Sequence, residues 1–289
     1  MIKKYKAFSL IELSAVLIII AILTSITTQI ISSIRNAHIA NANTITANFN
    51  IAQIDGLVAW YETSLKYSLE KSEIIDNKQI STWYNIAPSS ITDKINKLET
   101  TPSSGITYQE KGINNLPSIN FNGSSNLKLS TFSDGDISKA TIFFVISIDT
   151  HNTPTYFDSY NFSDSNVTIH SLDPDQLYSR ASANGAWTST SSNLPNILTN
   201  RGHIIVSYLN GENSKYYFND AINIAGGTAI NPGSNAISGL TIGSRSDNSS
   251  HFNGQLSEII IFNKILKLPQ RKDVMTYLSK KYNIAVSNL

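Results

Sequence analysis

The first carboxylate of the chain, Glu12, stands at the head of a long apolar run. From Leu13 to Ile34 there are 22 consecutive positions without a charge, and Leu, Ile, Val and Ala dominate them. A carboxylate beside such a segment is expensive to keep in apolar surroundings, so its default reading is a function. Other residues whose types could do chemistry lie further on. Asp134-Gly135-Asp136 and Asp173-Pro174-Asp175 each place two carboxylates two residues apart. Oxygen-rich loops of that kind bind calcium. Asp, Gly and Pro are also what turns use, and the turn is the favoured reading of both. Tyr156, Tyr160 and Trp187 could stack on sugar rings, although packing roles serve such residues equally well. The five histidines are isolated, without metal-ligand spacing. There is no cysteine, which excludes disulfides and thiolate metal sites. Gly-x-Ser-x-Gly, Gly-x-Gly-x-x-Gly and the Walker phosphate loop are absent as well.

The element that must position Glu12 is a helix. Twenty-two residues at 1.5 Å each span about 33 Å, which matches a bilayer core of about 30 Å. Lys3, Lys4 and Lys6 precede the run and predict a cytoplasmic N-terminus for a single-pass anchor with an exported C-terminal part. The net charge of +1 hides this split: residues 1–49 hold those three lysines and Arg35 against Glu12 alone, giving +3, and the remainder sums to −2. No basic stripe points to nucleic acid. A secretory signal fits poorly, because the run is too long and no small-x-small cleavage site follows convincingly. A plain membrane anchor explains the length and the lysines but not Glu12. Helical spacing continues through Ile30, Ile31, Ile34, Ala37, His38 and Ala42, and Gly56 is the first glycine. A helix over 8–54 would be about 70 Å long. The lone His38 reads as a solvated or packed side chain.

Lys6-Ala7-Phe8-Ser9-Leu10-Ile11-Glu12-Leu13 resembles the leader junction of type IV pilins and pseudopilins. The resemblance covers about 30 residues. It implies a prepilin whose leader, 1–7, is removed by a membrane peptidase between Ala7 and Phe8, with N-methylation of the new Phe8 terminus. It also implies that Glu12 assists assembly by neutralising the free amine at Phe8 of a neighbouring pilin-like subunit. That pairing would matter more in lipid than on a solvated surface. The chain departs from the family in having Ala7 where Gly is usual, which bears on the efficiency of cleavage.

From Leu57 onward the period shortens to that of strands. Leu57–Tyr61, Ser118–Phe121, Thr141–Ile148, His203–Leu209, Lys215–Asn219, Gly239–Gly243 and Gln255–Phe262 read as strands, the third nearly continuously apolar and therefore central. Asn210-Gly211-Glu212-Asn213 predicts a hairpin turn. Pro269 opens a terminal helix with Val274, Tyr277, Leu278 and Tyr282 on one face. Many short strands between turn signals argue for a sandwich or jelly roll over 55–289.

Asp55–Tyr61, Trp83, Gly112–Gly123, Phe252–Phe262 and Tyr277–Tyr282 together resemble the concanavalin A-like, laminin-G-like jelly-roll superfamily, with Glu62-Thr63 standing where an Asp-Ala pair is common. The expected fold is mainly β: a long N-terminal transmembrane helix, a concanavalin A-like jelly-roll sandwich and a short C-terminal helix. The glucanase branch of that superfamily uses Glu-x-Asp-x-x-Glu, which is absent here, so the expectation is a non-enzyme without a cofactor. The expected function is a pilin-like filament subunit displaying a lectin-like sandwich for adhesion to a glycan or surface protein. The alternative is a pseudopilin of a type II secretion or DNA-uptake machine whose sandwich docks a protein partner.

Overall fold

The computed structural model describes residues 9–90, 92, 94–100, 105–150, 155–160, 167–173, 176–183, 186–193, 198–224 and 236–289, and between 167 and 193 it describes the backbone alone. The chain forms two units, 1–41 and 42–289.

The first unit holds most of the long helix α1 (Leu10–Asn48). Every residue from Leu10 to Ile34 is exposed. A helix apolar on all faces has the pattern of a buried or membrane-spanning helix, and α1 with the turn after it is long and apolar enough to cross a membrane. Five of its hydroxyls are satisfied inside the helix. Ser14, Thr24, Thr27, Thr28 and Ser32 each donate to a carbonyl three or four residues back, so these five present no open donor on the helix surface.

In the second unit α1 ends at Asn48, short of the expected Ile54, and a 3-10 turn, Ile51–Gln53, follows. Asn48 and Asn50 compete for backbone hydrogen bonds and favour an end here. Between them, Phe49 stacks on Tyr277 with ring centroids 4.2 Å apart. Ala42, Thr46, Ile51 and Ile54 are buried in this unit. The compact unit therefore takes in the residues before 55.

Fifteen strands are described: β1 (Leu57–Glu62), β2 (Thr82–Trp83), β3 (Leu98–Thr100), β4 (Ile106–Gln109), β5 (Ser118–Asn122), β6 (Leu127–Leu129), β7 (Ala140–Ile148), β8 (Thr155–Ser159), β9 (Val167–Asp173), β10 (Gln176–Ala183), β11 (Ala186–Asn193), β12 (His203–Leu209), β13 (Lys215–Phe218), β14 (Leu240–Ile242) and β15 (Asn253–Phe262). They form two antiparallel sheets. One runs β13-β12-β7-β15-β5-β4, and β1 also pairs with β15. The other runs β11-β10-β9-β8-β14-β6-β3-β2. The ten residues of β15 serve two neighbours on one edge: Asn253–Leu256 pairs with β5, and Glu258–Phe262 pairs with β1 past an irregularity at Ser257. The expected hairpin joins β12 to β13, with Gly211 at φ +57°.

The inner faces of the two sheets enclose the main core. Ala140, Ile142, Phe144, Ile146 and Ile148 of β7 point into it, and Phe144 meets Tyr156 and Phe157 of the opposite sheet. The alternate residues Phe143 and Val145 are buried too. The helix α2 (Leu268–Tyr282) lies on the outer face of that sheet, bonding to β12 through Arg271 and to β15 through Tyr277. Two covered faces explain why β7 reads as a continuous apolar run. Val274, Tyr277, Leu278 and Tyr282 of α2 are all buried, as their spacing predicts. Pro269 sits in the first turn of α2, and Asn283, in the left-handed conformation, ends it.

Candidate functional site

The most concentrated chemistry lies where β1, β15 and α2 meet. Glu62 ends β1, Glu258 lies in the middle of β15, and Lys281 lies in the last turn of α2. Lys281 Nζ donates to Glu62 Oε2 and to Glu258 Oε2, each at 2.9 Å, and the three side chains are 0% exposed. Glu258 Oε1 accepts Trp60 Nε1–H at 2.6 Å and the Tyr277 hydroxyl at 2.8 Å, and its Oε2 also accepts the Tyr282 hydroxyl at 2.9 Å. Glu62 accepts the Ser64 N–H and hydroxyl, the Leu65 N–H and the Ser68 hydroxyl. Thr46 of α1 lies 3.3 Å from the Tyr277 hydroxyl. Burial of this depth is tolerated because each carboxylate oxygen receives at least two donors.

The two carboxyls differ in electrostatics. Burial pushes Glu62 up, but Lys281 and the Ser64 and Ser68 hydroxyls outweigh it and hold the group below the ordinary carboxylate range. Burial pushes Glu258 up and prevails there, reinforced by Glu62 and opposed by Lys281. Burial pulls Lys281 down, but Glu258 and Glu62 outweigh it, so the amine stays protonated well above the ordinary lysine value. Among the described residues no group of three or more His, Asp or Glu side chains is arranged to hold a metal ion.

Beside the cluster a groove of about 580 Å³ opens between the end of α1 and α2, lined by Phe49 and Tyr277 and by Asn48, Asn50, Gln270 and Asp273 among others. Stacked rings flanked by amides and a carboxylate are chemistry that can hold a polar ligand or a partner's side chains.

The residues singled out in the sequence fall elsewhere. Ala7, Phe8 and Asp175 lie outside the described residues, as do the side chains of Asp173 and Trp187. Asp134 and Asp136 flank Gly135 in an exposed turn, where the Ser133 hydroxyl donates to Asp134 at 3.3 Å. Tyr156 is not a stacking platform: it is fully buried between Phe144 and Phe252, because β8 presents it to the inner core. Tyr160, just after β8, is half-buried and remains a surface candidate. Glu12 caps its own helix. It accepts the Ser9 N–H at 2.9 Å, and its own N–H donates to the Ser9 hydroxyl at 3.2 Å. This reciprocal pair is the capping box that Ser-x-x-Glu encodes. The Glu62–Glu258–Lys281 cluster was not assembled from sequence. Its signal is a charge set inside apolar strands, Glu62 after Leu57–Tyr61 and Glu258 ahead of Ile259–Phe262.

No family model matches this sequence. No curated protein matches it either. Solved structures do match in fold. Domain 4 of a GH43 extracellular arabinanase from Geobacillus stearothermophilus, in complex with arabinotriose, is 16% identical at a TM-score of 0.51, covering 76% of this chain and 98% of that one. A Trypanosoma rangeli sialidase in complex with 2,3-difluorosialic acid is 13% identical at 0.50, over 78% of this chain and 33% of the sialidase. The botulinum neurotoxin serotype G binding domain is 12% identical at 0.50, over 68% of this chain and 48% of that one. The chain thus spans a third to a half of the sialidase and toxin chains. Likeness at these identities is likeness of fold, and the fold of the second unit is a jelly-roll β-sandwich.

Proposed function

We propose that this protein is a membrane-anchored, pilin-like filament subunit that displays a lectin-like sandwich for adhesion or ligand binding, and that it is not an enzyme. The observation that carries this reading is one chain holding both an exposed, charge-free helical span headed by Glu12 and a separate compact jelly roll. Processing before Phe8 would leave Glu12 near a new amine, and capping by Ser9 would hold its carboxylate at the helix head until a neighbour's amine replaces that bond. The glycan ligand is a class the arabinanase and sialidase complexes name for those proteins. The pseudopilin reading, with a docked protein partner, is favoured by one feature, the half-apolar groove at Phe49 and Tyr277.

Immunogold microscopy of intact cells with an antibody to 42–289 tests the reading. Labelled filaments are expected; label confined to the cell envelope would favour the pseudopilin. A glycan array probed with multivalent 42–289 tests the ligand. Weak single sites, of micromolar to millimolar Kd or about −8 to −4 kcal/mol, gain from many copies on a filament. A silent array would leave the sandwich as a docking block, and release of reducing sugar would overturn the non-enzyme assignment.

Glu12→Ala is expected to leave the protein in the membrane while lowering its filament content by about tenfold or more, the effect of removing one charge pair from lipid. Quantifying sheared filaments against the membrane fraction checks this. Unchanged incorporation would sink the assembly role, and sequencing that finds Met1 at the N-terminus would reduce the helix to a plain anchor.

A further inference from the structure

The Lys281–Glu62–Glu258 cluster is closed to solvent, so it cannot serve a ligand. It does place an amine against two carboxyls in a dry, strongly polarised pocket. We infer that Lys281 Nζ and Glu258 Cδ become joined by an amide bond within the folded protein, with Glu62 as the proton carrier.

The geometry brings the reacting groups together. A nitrogen 2.9 Å from a carboxylate oxygen lies about 3.7 Å from the carboxyl carbon, a few tenths of an ångström beyond the roughly 3–3.5 Å of a near-attack arrangement, so a small side-chain shift completes the approach. Glu62 Oε2 sits 2.9 Å from the same nitrogen, placed to take its protons. On Glu258, Oε1 receives Trp60 Nε1–H and the Tyr277 hydroxyl. These two donors would hold the negative charge that develops on Oε1 when the carbon becomes tetrahedral, as an oxyanion hole does. The electrostatics divide the carboxyls, with Glu62 held ionised and Glu258 pushed toward its protonated form, and they hold Lys281 protonated, so the amine must lose a proton before it attacks.

The step balances without an oxidant or reductant. Lys281 begins as an ammonium and both glutamates as carboxylates. One amine proton passes to Glu62 and on to Glu258 Oε2, which makes Glu258 a neutral acid and Lys281 a neutral nucleophile. The nitrogen lone pair attacks Cδ and the C–N bond forms. A second amine proton passes through Glu62 to Oε2, the Cδ–Oε2 bond breaks, and one water leaves. The third proton stays on the amide nitrogen. Glu62 ends as the carboxylate it began.

The product fits the pocket. The remaining oxygen, Oε1, keeps Trp60 and Tyr277 as donors, and the amide N–H points to Glu62 Oε2. Glu62 keeps the Ser64, Leu65 and Ser68 donors. Two opposite charges vanish from a fully buried site, which removes their desolvation cost, while Glu62 is left as a carboxylate that depends on those hydrogen bonds. The bond would fasten the last helix covalently to the sheet.

The mass of the full chain, extracted in detergent and denatured, tests this directly. It is expected to be one water lighter than the processed sequence requires. Trypsin is expected to give a branched peptide joining 246–264, which carries Glu258, to 281–289, uncleaved at the acylated Lys281. Glu258→Gln is expected to give the same branched peptide with ammonia as the leaving group. Glu62→Ala and Lys281→Arg are expected to give only linear peptides. A full-mass chain with linear peptides in the wild type overturns the proposal. A branch mapped to Glu62, or a link that still forms in a folded Glu62→Ala protein, overturns the assigned roles.

Discussion

Replacing Lys281 with methionine is expected to destabilise the sandwich by about 3–5 kcal/mol, the range for removing one partner of a buried ion pair. The methionine fills most of the volume, so the loss is not a cavity effect. It arises because Glu62 and Glu258, both fully buried, face each other without the cation between them. That range is for the ion-paired state; with Lys281 acylated the variant also loses the covalent tie between α2 and β15, and the loss is larger. Urea denaturation of 42–289 measures it. A loss below about 1 kcal/mol would mean that the cluster is energetically idle.

The variant also carries a pH signature. Burial pushes the Glu258 carboxyl up in the folded protein, and Lys281 opposes that push. Without the lysine the upward push is stronger. A carboxyl whose folded value lies above its unfolded one contributes stability at low pH and loses it as pH rises through the folded value. Lys281→Met is therefore expected to regain stability as pH falls from neutral toward the ordinary value of 4.5, with no further gain from this group below it. Adding Glu258→Gln is expected to recover part of the loss at neutral pH and to flatten the dependence. A double variant as unstable as the single one, with the same slope, would show that carboxylate repulsion is not the cause.

Phe144→Ala is expected to cost a further large amount, about 3–5 kcal/mol. Phe144 is 0% exposed and is the ring through which β7 meets the opposite sheet, at centroid distances of 5.4 Å from Tyr156 and 5.6 Å from Phe157. The space it leaves cannot close easily, because β7 is hydrogen-bonded to β12 on one side and β15 on the other. Tyr67→Ser is the comparison: at 54% exposure it is expected to change stability by no more than about 0.5 kcal/mol. Equal effects of the two changes, measured by thermal unfolding, would contradict the inner-face assignment of Phe144.

Elements with local causes were readable in the chain. The charge-free span after Glu12 predicts α1, the turn at Asn210-Gly211 predicts the β12–β13 hairpin, and Pro269 with the spacing of Val274, Tyr277, Leu278 and Tyr282 predicts α2. The apolar run Thr141–Ile148 marks the central strand. Each signal rests on neighbours within a few residues, where period and capping chemistry act. The chain also encodes the Ser9–Glu12 box, a four-residue span whose two end residues satisfy each other with no outside help.

What only the tertiary structure decided depends on contacts between distant residues. Tyr156 and Tyr160 look alike in sequence, yet one is fully buried and the other is half-exposed, because Tyr156 lies within β8 against Phe144 and Phe252 and Tyr160 falls just past the end of that strand. The place where the compact unit begins, Ala42, was set by Ile51 and Phe49 finding partners in the folded unit, which no helical period announces. The cluster is the extreme case. Lys281 reaches Glu62 across 219 residues and Trp60 reaches Glu258 across 198. The sequence by itself determined the residue types and their local elements. The pairing of β1 with β15 and the seating of α2 on that sheet determined that three charges would share one dry pocket, and burial turned those ordinary side chains into a strongly coupled group.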